Sequence, residues 1–435
     1  MNELVKRIKS LSPEKRRLLE AHLQKKGISS DIENNDDSDI ADTGDIVVEN
    51  VSTSGDEALL VSESQDTPGR KVLKIVLQRD VASYLAYSLP LCIILAYEKM
   101  RPWYYQHFVQ ITAQIGRSGY VMLDYVEPVL CFWDIIRFIQ IPYFRLDDGA
   151  EVLALIKEKI PLHFYVFVYL DEYHISAKAN YHKNHWVHET MVYGYDDDRQ
   201  KIMAVGLNKN NILSKLEISY DQFMKAFDSG KLHYTESAPY ARYQAMELLQ
   251  LHETEGEFPF DPDLFLMDFR EYFQSRNRKD IVSGLMPPGE PYAAKGKLPV
   301  VYGFEVCDLV ILKLQELLQG KVLIDYRAIH LLAEHKHGLY QRLKYVIDKY
   351  NLAGKAGDLL NRYEAVFQGM QTVRIKFMEL TAAADVSTKA AKTVLKQMID
   401  SLNEMQRKEK IILTELIPIL ETTMTVIPDH ARIDP

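Results

Sequence analysis

Apolar residues recur along this chain with two different periods, and the places where the period changes divide it into segments. At the start, Leu4, Val5, Ile8 and Leu11 form a short helical stripe. Ser12 and Pro13 then read as an N-cap and first helical position, before a second stripe of Leu18, Leu19 and Leu23 that Gly27 ends. Two stripes of this size do not bury their apolar faces unaided, so residues 1–27 predict a helical docking segment. From 28 to 69 the pattern lapses: the stretch is rich in Ser, Asp, Asn and Gly, lacks aromatics, and reads as an acidic disordered linker.

Between 70 and 240 helix and strand periods mix. Residues 71–77 predict a short strand or arm, and 82–100 an apolar helix broken or started at Pro90. Residues 120–123 and 130–133 are short strand candidates, and 149–159 has helical spacing at Val152, Leu155 and Ile156. The run HFYVFVYL at 163–170 is continuously β-branched and aromatic, as a buried strand is. Residues 189–195, a turn at 196–199 and a return at 201–205 predict a hairpin, after which Ser219 caps a helix carrying Phe223 and Phe227. From 241 to 435 the helical period dominates, over 302–318, 326–350, 355–380 and 387–412, which predicts a helical bundle. The reading is an α+β chain of four parts: 1–27, 28–69, 70–240 and 241–435.

Charge changes this picture in one place. The net charge is −9, yet residues 29–69 hold twelve acids and no Lys or Arg, so the remainder stands at +3. A near-neutral remainder does not predict a nucleic-acid binder. The longest apolar stretch, 89–96, is interrupted by Pro90 and followed by Glu98 and Lys99, so no membrane span is expected, and Met1 to Lys9 lacks the apolar core of a secretory signal. Cys92, Cys131 and Cys307 have neither disulfide-framework nor zinc-ribbon spacing, which suits a reducing cytoplasm.

Reactive side chains crowd into 171–198, where His174, His182, His185 and His188 fall within fifteen residues. Three readings stand side by side. His182, His185 and His188, three residues apart, suit metal ligation from one helical face. One histidine at a strand entry suits general-base chemistry beside a cysteine at a helix N-terminus. Solvent-exposed loop histidines are the plain alternative. Asp171 and Glu172 end the apolar run at 163–170 and face either a site at its edge or solvent. Trp103 lines a pocket or joins the core. Arg327, Glu334, His335 and Arg342 share one helix, as buried ion pairs or as a grip on a phosphate.

The stretch His188-Glu-Thr-Met-Val-Tyr-Gly194-Tyr195-Asp196-Asp197, followed by Ile218-Ser219-Tyr220-Asp221-Gln222-Phe223 and Ala226-Phe227, resembles the histidine strand and following helix of papain-like enzymes related to bacteriocin-leader peptidases. The chain is also similar to the butirosin-pathway acyltransferase family and its longer relatives that accompany nonribosomal peptide synthetases. Asp325, Arg327, Glu334-His335-Lys336 and Arg342 look like a helix of those longer proteins, and 11–27 like the helical leaders of synthetase modules.

The resemblance implies a papain-like core with a C-terminal helical bundle, and transfer of an acyl or aminoacyl group from a carrier-protein thioester to a small-molecule amine. The implied partner is an acyl or peptidyl carrier protein with its phosphopantetheine arm. No cofactor or metal of the chain's own is implied. Carried over by position, His188 is the base, Cys92 the nucleophile in the first turn of a helix begun by Pro90, and Asn208 the group that orients His188. Trp103, Tyr193, Asp171 and Glu172 are the substrate-side residues. Where a Gln donor is normal in the peptidase pattern, this chain has Tyr84, Ala86 and Tyr87. Alternative readings are an inactive scaffold module of a synthetase assembly, thioester hydrolysis, and a metal-dependent enzyme.

Overall fold

The computed structural model describes residues 65–115, 121–126, 129–237, 245–253, 256–277, 300–320, 326–382 and 388–424. The expected docking segment and most of the acidic linker lie outside them. The chain divides into two units, Met1–Gly44 and Asp45–Pro435, and every described residue belongs to the second.

The main sheet is antiparallel throughout. Its strands are β1 (Gln65–Thr67), β2 (Arg70–Val72), β5 (Ile136–Pro142), β6 (Tyr165–Asp171), β7 (Val187–Asp196), β8 (Lys201–Leu207), β9 (Leu213–Ser219) and β10 (Ala245–Leu251). The order runs β1-β2-β7-β6-β10-β5, with β8 pairing both β7 and β9. The apolar run at 163–170 supplies β6, which is buried at every position because β7 and β10 flank it. The predicted hairpin is β7–β8, with Met191 opposite Val205 and Asp196 opposite Lys201. A smaller sheet orders β11 (Val300–Tyr302), β3 (Ile111–Ile115) and β4 (Val121–Tyr125).

Nine α-helices occur among the described residues: α1 (Leu85–Ile94), α2 (Arg101–Gln106), α3 (Gly149–Lys159), α4 (Tyr220–Ser237), α5 (Pro262–Gln274), α6 (Val306–Leu318), α7 (Tyr326–Lys349), α8 (Ala353–Ala382) and α9 (Lys389–Met424). Ser219 Oγ accepts from Gln222 N at 3.2 Å, so the expected cap starts α4. The start of α3 lies so close to α4 that a Cβ on Gly149 would sit 2.5 Å from Met224 Cα. Among the described residues no helix is long and apolar enough to cross a membrane.

Three expectations need correction. Residues 130–133 are not a strand but lie in the 3₁₀ turn Val129–Asp134, which Pro128 precedes and whose last turn closes from Ile135 N to Phe132 O at 3.1 Å. Pro90 does not begin α1, which starts at Leu85 with Pro90 inside it. The reason is tertiary: Glu334 of α7 accepts from the N–H of Ala82 and Ser83 at 2.8 and 3.2 Å, while Gln78 and Ser88 side chains bind Val81 O. This fixes the chain just ahead of Leu85 and outweighs the one intrahelical bond that Pro90 forgoes. Finally, β10 lies beyond the boundary expected at 240 yet sits between β6 and β5, so the sheet draws on both expected domains.

The C-terminal helices are joined to the sheet region through α7. His335 Nε2 donates to Val109 O at 2.8 Å, and Arg342 donates to His107 O at 2.6 Å and Tyr104 O at 3.3 Å. Arg342 is buried, so it grips backbone carbonyls rather than a ligand's phosphate. Deeper among the helices, Glu409 of α9 accepts from Lys336 of α7 at 2.7 Å, and from Tyr272 of α5 and Tyr363 of α8 at 2.9 Å each.

Candidate functional site: two carboxylate–histidine pairs at one sheet corner

The strand run ends in two carboxylates because the last apolar position, Leu170, is followed by Asp171 and Glu172. Asp171 closes β6 and caps the 3₁₀ turn Glu172–His174, accepting from Tyr173 N at 3.1 Å. The chain then loops out and returns as β7. Trp186 N donates to Asp171 Oδ1 at 3.0 Å, Glu172 N donates to Trp186 O at 2.9 Å, and Leu170 pairs with His188. This closed loop sets each carboxylate beside an imidazole.

Glu172 Oε1 lies 3.1 Å from His188 Nδ1, and its Oε2 accepts from Asn180 Nδ2 at 2.8 Å. Lys178 Nζ is 3.5 Å from Glu172 Oε1, with both side chains almost wholly buried. A Cβ on Gly206 would stand 2.9 Å from that ammonium, so a glycine in β8 leaves the room it occupies. Burial pushes the Glu172 carboxyl up, but the His188 hydrogen bond, Lys178 and Asn180 outweigh it and bring the pKa down to about 2. The carboxylate is therefore ionised at neutral pH, so His188 Nδ1 carries the proton and donates it. Nε2 faces Glu189 Oε2 at 3.4 Å, and the side chain is 25 % exposed. A partly exposed imidazole whose Nδ1 is held by a buried carboxylate suits general-base work.

The second pair lies alongside. His185 Nδ1 is 2.6 Å from Asp171 Oδ2, which also accepts from Ser229 Oγ of α4 at 2.6 Å. Burial acts to raise the Asp171 pKa, but the bonds from His185, Ser229 and the N–H groups of Tyr173 and Trp186 leave it lowered.

The other expected site residues are elsewhere. Cys92 sits well inside α1, fully buried, and burial pushes its thiol up to about 12. Among the described residues no hydrogen bond links it to His188. A nucleophile needs the thiolate, which burial opposes, so the position fits a core cysteine.

Asn208 does not orient His188. Its Oδ1 accepts from Asn210 N at 2.8 Å and Ile212 N at 3.1 Å, and its Nδ2 donates to Ser214 Oγ at 2.9 Å, closing the β8–β9 turn. Glu172 holds the imidazole instead. Trp103 has no exposed surface and packs its ring 5.7 Å from Phe132 and 4.3 Å from His107, so it belongs to the core. Tyr193 is buried at the irregularity in β7, five residues and roughly 17 Å of strand away from His188. Burial raises its phenol to about 12. His182, His185 and His188 share no helical face: His182 takes a left-handed backbone (φ 53°) in a turn, while His188 is in β7. Lys178, Asn180 and Ser229 escaped the sequence reading, since only the closed loop and the packing of α4 bring them to the carboxylates.

In comparison with known proteins, no family model matches the chain and no curated protein matches it.

Proposed function

We propose that this chain is an acyl-transfer enzyme with a papain-like core, in which the His188–Glu172 pair deprotonates an amine as it attacks a carrier-protein thioester. The single observation that carries the reading is the His188 Nδ1 bond to a buried, ionised Glu172, which leaves Nε2 as a base. The reaction class, the carrier protein with its phosphopantetheine arm, the amine acceptor and a cytoplasmic setting rest on the sequence resemblance. In this mechanism the amine nitrogen forms the new C–N bond and passes its proton to His188 Nε2. The C–S bond breaks, and the departing thiolate takes up that proton as the free thiol. Glu172 stabilises the imidazolium in between. Transfer is direct, without an acyl-cysteine, because the Cys92 thiol is buried and held protonated.

The test is unloading of acyl-charged carrier proteins by the full chain, followed by intact-protein mass spectrometry with and without amines. The reading expects amine-dependent amide formation that survives Cys92→Ala and falls at least 10²-fold, the lower end for a general base, in His188→Ala. An acyl adduct on Cys92 would overturn direct transfer. A second reading, an inactive scaffold module, is favoured by the burial of Cys92. It gains ground if no charged carrier is unloaded under any of these conditions.

A further inference from the structure

We propose that Asp171, His174 and His185 bind a divalent first-row transition-metal ion, zinc being the probe of choice, at a site separate from the His188 base. One ligand atom from each of the three lies within 4.8 Å of the others. Local structure explains the convergence. Asp171 caps a single 3₁₀ turn that ends at His174, and with about three residues per turn this stacks the two on one side. The returning chain is tied back by the Trp186 N–H on Asp171 Oδ1, which delivers His185 from the other direction.

Each ligand is held as a metal site requires. The Asp171 side chain has no exposed surface, and it is fixed by Ser229 Oγ at 2.6 Å and by the Tyr173 and Trp186 N–H groups. Hydrogen bonds of this kind behind a ligating carboxylate orient it and tune its basicity. The His185 ring stacks on Tyr173 at 4.4 Å and on His233 at 4.2 Å, so its plane is set although the side chain is 42 % exposed. His174 is only partly exposed and lies with its ring 6.2 Å from that of His185.

The His185 Nδ1 to Asp171 Oδ2 distance of 2.6 Å is that of a hydrogen bond. A tetrahedral ion with bonds of about 2.0–2.1 Å would hold such a pair roughly 3.3 Å apart, so this pair opens by well under an ångström and loses its shared proton, while His174, within 4.8 Å of both, closes in on the ion. Two imidazoles and one carboxylate leave a fourth position open toward solvent on the exposed side of His185. The geometry thus picks a different ligand set from the evenly spaced His182, His185 and His188 that the sequence alone suggested.

The experiment is a zinc titration of the untagged, chelator-treated full chain by calorimetry, with metal content measured after dialysis. One zinc per chain is expected. His174→Ala and His185→Ala should each weaken binding at least tenfold. Ser229→Ala, which removes only a support of the carboxylate, should weaken it about tenfold. His182→Ala and His188→Ala should leave it unchanged, and circular dichroism checks that all variants fold. Cobalt in place of zinc should give the visible absorption of a four-coordinate site that is lost in His185→Ala. Absence of stoichiometric zinc overturns the proposal. So does zinc held equally well by the His174→Ala/His185→Ala double variant, or lost instead with His182 or His188.

Discussion

Two buried glutamates anchor this molecule, and they differ in what lies beyond them. Glu409 accepts from Lys336, Tyr272 and Tyr363, all of them buried, so every partner is spent inside the helices. Glu172 is as deeply placed and also has a buried lysine, but its third partner, His188, is a quarter exposed and carries the contact outward. The same chemistry is closed in one region and open in the other. A buried carboxylate with only buried partners ties helices together, whereas one with a partly exposed imidazole gives that imidazole a fixed tautomer and a counter-charge.

The contrast breaks most severely at Glu409. Glu409→Ala leaves the Lys336 ammonium buried without its carboxylate and should cost about 3–5 kcal/mol in urea unfolding. Pairing Glu409→Leu with Lys336→Met should recover most of that loss, because the charge is then removed together with its partner.

Glu172→Gln should cost about 3 kcal/mol at neutral pH, from a carboxyl lowered from 4.5 to about 2. The folded-state pKa is depressed, so this contribution is complete above the unfolded value near 4.5 and fades as pH falls toward 2. Urea melts across that window should bring wild type and variant together at its acid end; a gap independent of pH would count against an ionised Glu172.

Gly206→Ala places a methyl 2.9 Å from Lys178 Nζ and should destabilise by about 1–3 kcal/mol, seen as a lower melting temperature. His188→Ala is the mildest for stability, about 1 kcal/mol, since Glu172 keeps Asn180 and Lys178, yet it should be the most damaging for turnover. Stability and activity losses that rise together across these variants would erase the distinction between the two glutamates.

The sequence carried this corner unevenly. The apolar run at 163–170 read as a buried strand, and the strand 189–195, turn 196–199 and return 201–205 read as the hairpin that β7 and β8 form. Among the four histidines of 174–188, His188 stood out through the resemblance of residues 188–197 to a papain-like histidine strand. Glu172 was visible as a residue but not as its partner, since a carboxylate after a strand usually meets solvent, and only the loop returning through Trp186 folds it inward. The helix at Cys92 was misplaced for a similar reason. Pro90 is a strong local start signal, but Glu334, some 250 residues away, fixes the chain just ahead of Leu85. Strands β3, β5, β9 and β10 are short and half-exposed or ambiguous in period, and β10 takes its place from neighbours that its own seven residues do not specify.

The reach of α7 has a consequence for biogenesis. Ala82 and Glu334 are 252 positions apart, and Gln110 likewise donates to Arg276 O across 166. During synthesis the amides ahead of α1 must wait for the carboxylate that binds them until most of the polypeptide has emerged. The β3–β4 pair, against which α7 packs, therefore spends that interval uncovered, a state prone to self-association and suited to chaperone capture. A fragment ending after β10 would be caught permanently in that condition and should be recovered as aggregate, whereas co-expression with the complementary helical portion should restore solubility to both pieces.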